Sequence, residues 1–201
     1  MIKTIVFDCS DTLLRFTALD ELNKIVGDAS RAAEIKAKIH QSSAWHLYDK
    51  GLISEEGMKQ AILPLFVESE RSFAAWYMDN WSKCYSPIPG MYELISELKG
   101  KGWPLYIISD FPPRFPELKE RFADLFCQFS GIAVSYECHL TKRDKSLFSH
   151  FLQEFHFNAT DCVFIDDYPP NPERARSLGF YGIVFENAQV LREQLAELSI
   201  L

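Results

Sequence analysis

Asp8 closes a short apolar, β-branched run at residues 3–7 and opens the segment Asp8-Cys9-Ser10-Asp11-Thr12. Three later stretches supply groups that complement it. Ser109-Asp110 ends the apolar run 105–108, Asp166-Asp167 ends the run 162–165, and Lys142 follows the run 132–134. The set is one isolated carboxylate, a hydroxyl, an ammonium and an acidic pair. Two adjacent carboxylates repel unless a hard cation lies between them, and Mg2+ is satisfied by a few carboxylates plus waters. A phosphoryl group is the natural substrate of such a set. The metal and Lys142 can neutralise its charge while Asp8 attacks in line.

These groups work together only if the chain brings them to one place. Runs rich in Val, Ile and Phe, with no polar alternation, read as strands buried on both faces. The spacing predicts strands over 3–7, 105–108, 132–134, 162–165 and 182–185. Helices are predicted over 91–99, 115–125, 145–155, 172–178 and 188–198. Alternation of this kind implies an α/β fold, a three-layer Rossmann-like parallel sheet covered on both faces. In a parallel sheet all strands end on one edge, where ligands bind, so Asp8, Ser109 and Asp166-Asp167 should converge there.

Residues 15–86 read differently. Leu19, Leu22 and Val26, then Ala32, Ile35 and Ile39, fall at helical spacing, as do Phe73, Trp76, Tyr77 and Trp81. Ser54 is a suitable N-cap for a helix over 55–63, with Glu55 and Glu56 in its first turn and Pro64 at its end. No strand is expected here. The reading is a small α-helical cap of four or five helices, residues 15–86, inserted into a core of residues 1–14 and 87–201.

Composition narrows the function. Apolar residues make up 47% of the 201-residue chain and aromatics 14%, enough for a sizeable core. The formal net charge is −7, without a lysine–arginine block. A nucleic-acid partner is therefore not expected, because it needs a basic footprint. No apolar run reaches the roughly 18–20 residues of a membrane span. The first residues lead directly into a strand, so no signal peptide is expected. Cys9, Cys84, Cys127, Cys138 and Cys162 show no CxxC spacing and read as free thiols of a cytoplasmic protein. A monomer is the default.

With these residues in place, the chain resembles the haloacid dehalogenase superfamily, in the class whose helical cap follows the first strand. The resemblance covers essentially the whole chain. Asp8-Cys9-Ser10-Asp11-Thr12 stands where the family has Asp-x-Asp-Gly-Thr. Ser109 matches its second motif, Lys142 its third, and Asp166-Asp167 its fourth, with Asn171 and Ala175 continuing that run. The stretch 45–54 resembles a recurrent cap segment. The resemblance implies that Asp8 is the nucleophile forming an aspartyl-phosphate. It also implies that Mg2+ is held by Asp8, the Ser10 carbonyl and Asp166 or Asp167, and that Ser109 and Lys142 hold the phosphoryl oxygens. Ser10 and Asp110 join Ser109 and Lys142 around the substrate, a small phosphorylated metabolite.

Two positions depart from the pattern. Ser10 stands where an aspartate usually protonates the leaving group and activates water; a serine cannot do so at neutral pH, and the loss costs about 10²–10⁴ in rate if nothing replaces it. Asp11 takes the place of a glycine and reads as a turn residue. Asp110 replaces a common asparagine and adds negative charge near the phosphate. A mutase needs the missing proton shuttle, and a dehalogenase does not need the acidic pair. Bacterial sugar-phosphate phosphatases with an Asp-x-Gly-Asn first motif share the departure at position 10. The expectation is a Mg2+-dependent phosphatase; the alternative is a catalytically impaired relative that binds a phosphorylated ligand or partner. His46 and the aromatics Trp45, Tyr48, Trp76 and Trp81 read as packing residues.

Overall fold

The structure, a computed structural model, describes residues 2–201. Strand β1 (Thr4–Phe7) is the centre of a five-stranded sheet. With β4 (Leu105–Ser109), β5 (Gly131–Val134), β6 (Cys162–Asp166) and β7 (Tyr181–Val184), the order across the sheet is β5-β4-β1-β6-β7, and every pairing is parallel. Strand side chains alternate between faces. Ile5, Phe7, Ile107, Val163 and Ile165 join one apolar cluster with helices α6 (Met91–Gly100) and α12 (Ala188–Glu197). Val6, Ile108 and Phe164 join a second with α10 (Ser146–Glu154) and α11 (Pro170–Ser177). Both faces are covered, which is why the strands carry no polar alternation. This is the three-layer fold that the sequence predicts.

Between β1 and β4 lies a bundle of five α-helices, α1 (Ala18–Val26), α2 (Ala29–His40), α3 (Ser43–Asp49), α4 (Glu55–Ile62) and α5 (Glu68–Asn80). Local chemistry sets its boundaries. Asp28, Ser42 and Ser54 each accept a backbone N–H of the first turn of the helix that follows. Gly27 ends α1 in the left-handed region, at φ 73°. Pro64 falls in a 3-10 turn, Leu63–Leu65, directly after α4.

Three features differ from the expected elements. The chain enters and leaves the bundle through a two-stranded antiparallel ribbon, β2 (Leu14–Phe16) paired with β3 (Tyr85–Pro87), where no strand is expected. Each strand has three residues, too few for a periodic signal, and its partner lies about 70 residues away. The helix expected over 115–125 is two, α7 (Phe115–Arg121) and α8 (Ala123–Phe126), broken at Phe122. A short helix, α9 (Ser135–Cys138), follows β5.

The bundle is fastened to the sheet's C-terminal side at several points. Arg114 donates two hydrogen bonds to the Glu55 carboxylate, at 2.6 Å each, and another to Ser82 Oγ at 3.1 Å. Ser135 Oγ donates to the Asp49 carbonyl at 2.5 Å while accepting the Phe111 N–H at 2.8 Å. His139 Nδ1 donates to the Lys50 carbonyl at 2.6 Å. Gly51, at φ 67°, lies so close to the Tyr136 carbonyl that a Cβ there would be 2.5 Å from its oxygen. All five cysteines are free. Among the described residues no helix is long and apolar enough to cross a membrane.

Candidate active site

Strand register decides which side chains meet. Phe7 pairs with Ile107 on one side and Ile165 on the other, so Asp8 is level with Asp166. Both carboxylates follow Val6 and Phe164 on the face that α10 and α11 cover, by the two-residue alternation of a strand. Lys142 lies in the loop between α9 and α10, on that same face. Its Nζ is 2.7 Å from Asp8 Oδ1 and 2.6 Å from Asp166 Oδ2, with all three side chains buried. It also lies 5.8 Å from the centre of the Phe164 ring.

The acidic pair divides its work. Asp166 is fully buried and committed, accepting from Lys142 Nζ, from Asn171 Nδ2 at 2.9 Å and from the Tyr168 N–H at 2.9 Å. Asp167 is only partly buried; its carboxylate takes a single long bond from Thr12 Oγ1, at 3.4 Å, and Thr12 in turn accepts the Asp167 N–H at 3.1 Å. Carboxylate oxygens of Asp8, Asp166 and Asp167 all lie within 4.8 Å of one another.

Two buried polar atoms at this edge lack a hydrogen bond among the described residues. They are Asp8 Oδ1, which touches Lys142 outside hydrogen-bonding angles, and Ser109 Oγ. The Lys142 ammonium compensates Asp8 Oδ1, whereas the Ser109 hydroxyl is left unsatisfied, which costs about 1–3 kcal/mol. A carboxylate oxygen beside an acidic pair suits a cation, and a hydroxyl at the next strand tip suits an oxyanion. The donor set, all oxygen, fits Mg2+.

Electrostatics reflect the crowding. Burial raises the Asp8 carboxyl to about 7; Asp166 and Asp167 add to the shift and Lys142 opposes it. Burial, with Asp166 and Asp11 beside it, raises Asp167 to about 6. Burial alone would lower the Lys142 pKa, but Asp166, Asp8 and Asp110 outweigh it and hold the ammonium charged.

The remaining residues singled out from sequence fall around this cluster. Ser10 Oγ is 2.9 Å from the Tyr85 hydroxyl on β3. Asp11 sits at φ 55°, the left-handed region that suits a glycine, and its carboxylate accepts the Phe16 N–H at 2.9 Å. It therefore holds the ribbon turn. Asp110 is not a free charge at the edge: its Oδ1 accepts the Lys142 N–H at 2.9 Å and so fixes the loop that presents the lysine.

Above the edge, the crevice between bundle and sheet has two lobes. One, of about 210 Å³, is lined by His46, Asp49, Lys50, Asp110, Arg143 and Asp144 among others. The second, of about 200 Å³, has aromatic walls that include Phe16, Trp45, Trp81 and Tyr85, and reaches Ser10. Trp45 and Trp81 pack edge-to-face, 5.6 Å apart, so they both pack and line the crevice. Asp49 and Asp110 belong to both lobes. Thr12, Tyr85 and Asp49 are not reached by sequence reasoning. Asp49 stands within the cap stretch 45–54, and its signal there is an acid at the end of an amphipathic helix, just before Lys50-Gly51.

A family model described as haloacid dehalogenase-like hydrolase matches residues 2–171. The chain belongs to this family. Among relatives of this hydrolase is flavin mononucleotide hydrolase 1 of Arabidopsis thaliana, 24% identical over 98% of this chain and 77% of the relative. Another is the sesquiterpene phosphatase astK of Aspergillus oryzae, 25% identical over 90% of this chain and 88% of the relative. A solved HAD family enzyme, bt-2542 of Bacteroides thetaiotaomicron, in complex with magnesium and inorganic phosphate, shares the fold at a TM-score of 0.66. It is 19% identical, and the match covers 93% of this chain and 96% of that one.

Proposed function

We propose that this hydrolase is a Mg2+-dependent phosphatase of a small phosphorylated metabolite, acting through an aspartyl-phosphate on Asp8. The observation that carries the reading is the gathering of the Asp8, Asp166 and Asp167 carboxylates within 4.8 Å of one another around the buried Lys142 ammonium, with the unpartnered buried hydroxyl of Ser109 at the same edge. The relatives named for hydrolysis of a flavin mononucleotide and for a sesquiterpene phosphatase, and the neighbour holding magnesium and phosphate, support it.

Each side chain has a role in this reading. Asp8, Asp167 and the Ser10 carbonyl would hold Mg2+. Asp166 is spent on Lys142, Asn171 and the Tyr168 N–H, and so steadies the lysine more than it reaches a ligand. The metal would offset the phosphate's charge and keep Asp8 ionised. Lys142 and the Ser109 hydroxyl hold the phosphoryl oxygens, so that Asp8 can attack phosphorus in line with the leaving oxygen. Asp110 positions Lys142 through its backbone. Residues 15–86 act as a cap that shields the site from water over the core formed by 1–14 and 87–201.

The test is release of inorganic phosphate from a panel of phosphate monoesters, with Mg2+ and with EDTA. Mg2+-dependent turnover that Asp8→Asn abolishes is expected. Turnover that survives Asp8→Asn removes Asp8 as nucleophile. The serine at position 10 favours one second reading, a protein that binds a phosphorylated ligand with little turnover. It predicts Mg2+-dependent binding without phosphate release from any ester.

A further inference from the structure

If Asp8 attacks a phosphate ester, a proton must reach the leaving oxygen and a base must later activate water. Ser10 can do neither, and its hydroxyl is engaged with Tyr85. Asp11 is turned away to hold the Phe16 N–H. The acids of the sheet edge are spent as well: Asp166 on three donors, Asp110 on the Lys142 backbone and, in the phosphatase reading, Asp8 as nucleophile and Asp167 on the metal. One carboxylate in the crevice is not spent. Asp49 makes no side-chain hydrogen bond among the described residues, yet it lies where the two lobes meet, in the same lobe as Ser10 and Asp110.

Its backbone is held firmly. The Asp49 carbonyl accepts from Ser135 Oγ and the next carbonyl from His139 Nδ1, while Gly51 seats against Tyr136. The core thus fixes the backbone that carries Asp49 over the crevice, although the residue belongs to the bundle. The charged groups around it are Asp110 and Arg143 from the core, His46 from its own helix, Lys50 just after it, Asp144 across the first lobe and His40 in the second. Burial and the Asp110 carboxylate raise the Asp49 carboxyl to about 8, against the pull of Arg143. The shift favours the protonated form, the state a proton donor needs.

The geometry points to Asp49 as the acid and base of the reaction, supplied by the cap in place of the residue lost at position 10. This rests on the phosphatase reading of the site. In the first step Asp8 bonds to phosphorus, the ester P–O bond breaks toward the leaving oxygen, and the Asp49 proton passes to that oxygen, releasing an alcohol. In the second step water attacks the same phosphorus and Asp49 takes its proton. The P–O bond to Asp8 breaks, leaving inorganic phosphate, an ionised Asp8 and a protonated Asp49.

The experiment compares the first turnover of wild type and Asp49→Asn on two esters with Mg2+ present. p-Nitrophenyl phosphate has a leaving group that needs no proton; an alkyl phosphate needs one. In Asp49→Asn the first turnover of the alkyl ester falls by about 100-fold or more. The aryl ester still gives a burst of about one nitrophenol per protein, then slow steady release, because water is no longer activated. Adding Ser10→Asp to that variant restores alkyl-ester turnover at least tenfold. Equal slowing of both esters, the loss that a structural role would cause, overturns the assignment. So do an unchanged alkyl-ester rate and an absent rescue. Failure of the phosphatase reading itself looks different, since wild type would then release product from neither ester.

Discussion

Lys142 has the most to hold in place. Its ammonium is buried and contacts Asp8 and Asp166, so its removal leaves two carboxylates facing each other in a dry site. Breaking one side of a buried ion cluster costs about 3–5 kcal/mol, but the acids can relieve that cost by binding protons. Lys142→Met is therefore expected to lose more stability at pH 8 than at pH 5 in urea unfolding, and Mg2+ should recover more of it at pH 8. Equal losses at both pH values would show that the carboxylates do not depend on the lysine. The same residues explain what the sequence shows of the site. Asp8, Ser109 and Asp166-Asp167 each end an apolar run, and a parallel sheet carries run ends to one edge whatever their separation. Asp49 has no such rule. It ends a helix, and its place over the edge is set by Ser135, His139 and Tyr136, more than 80 residues further on.

At the scale of elements, the turn after α3 carries this positioning, and two glycines separate the contact from the backbone effect. Gly27 and Gly51 both have positive φ, 73° and 67°, so alanine is strained at each. A Cβ at Gly27 meets nothing within 4 Å, whereas one at Gly51 would be 2.5 Å from the Tyr136 carbonyl oxygen. Gly27→Ala should cost about 1 kcal/mol and leave kcat close to wild type. Gly51→Ala should cost more and lower kcat, because the turn that carries Asp49 must lift from α9. Matched melting temperatures and matched kcat for the two would mean that this contact does not set the crevice. The strands of the sheet are legible because each is a run of four or five mostly apolar residues, and most helices because of their apolar spacing or a clear cap, as Ser54 provides for α4. The ribbon β2–β3 is not, since its three-residue strands exist only as each other's partners. The break at Phe122 is not either, for the apolar spacing runs through it.

For the whole molecule, the acids fall into two groups with opposite effects on stability. Glu55, held to about 2 chiefly by Arg114 and Lys59 despite some burial, and the similarly lowered Asp144, Asp161 and Glu97 favour the ionised form in the folded state. Their contribution is present above the ordinary carboxylate pKa and is lost as pH falls through the lowered values. Asp8, raised to about 7, Asp49, raised to about 8, Asp167, raised to about 6, and Asp110, also raised, bind protons more tightly folded than unfolded. Between about pH 4 and pH 8 these four acids hold more protons folded than unfolded and outweigh the opposite effect of His40, which burial lowers to about 3, and of His46, also lowered, so stability falls as pH rises through that window. Without divalent metal, the melting temperature should peak near pH 4 and drop by about 5–10 °C toward pH 8.5. Mg2+ binds the ionised carboxylates, so it should raise the melting temperature strongly at pH 8 and weakly at pH 5, flattening the profile. Asp49→Asn should remove part of the decline with and without Mg2+, because Asp49 lies outside the metal cluster, while Asp8→Asn should remove both part of the decline and most of the Mg2+ effect. A melting temperature that rises steadily from pH 5 to 8.5 without metal would mean that these acids are ionised in the folded protein, and the general-acid role of Asp49 would fall with that result.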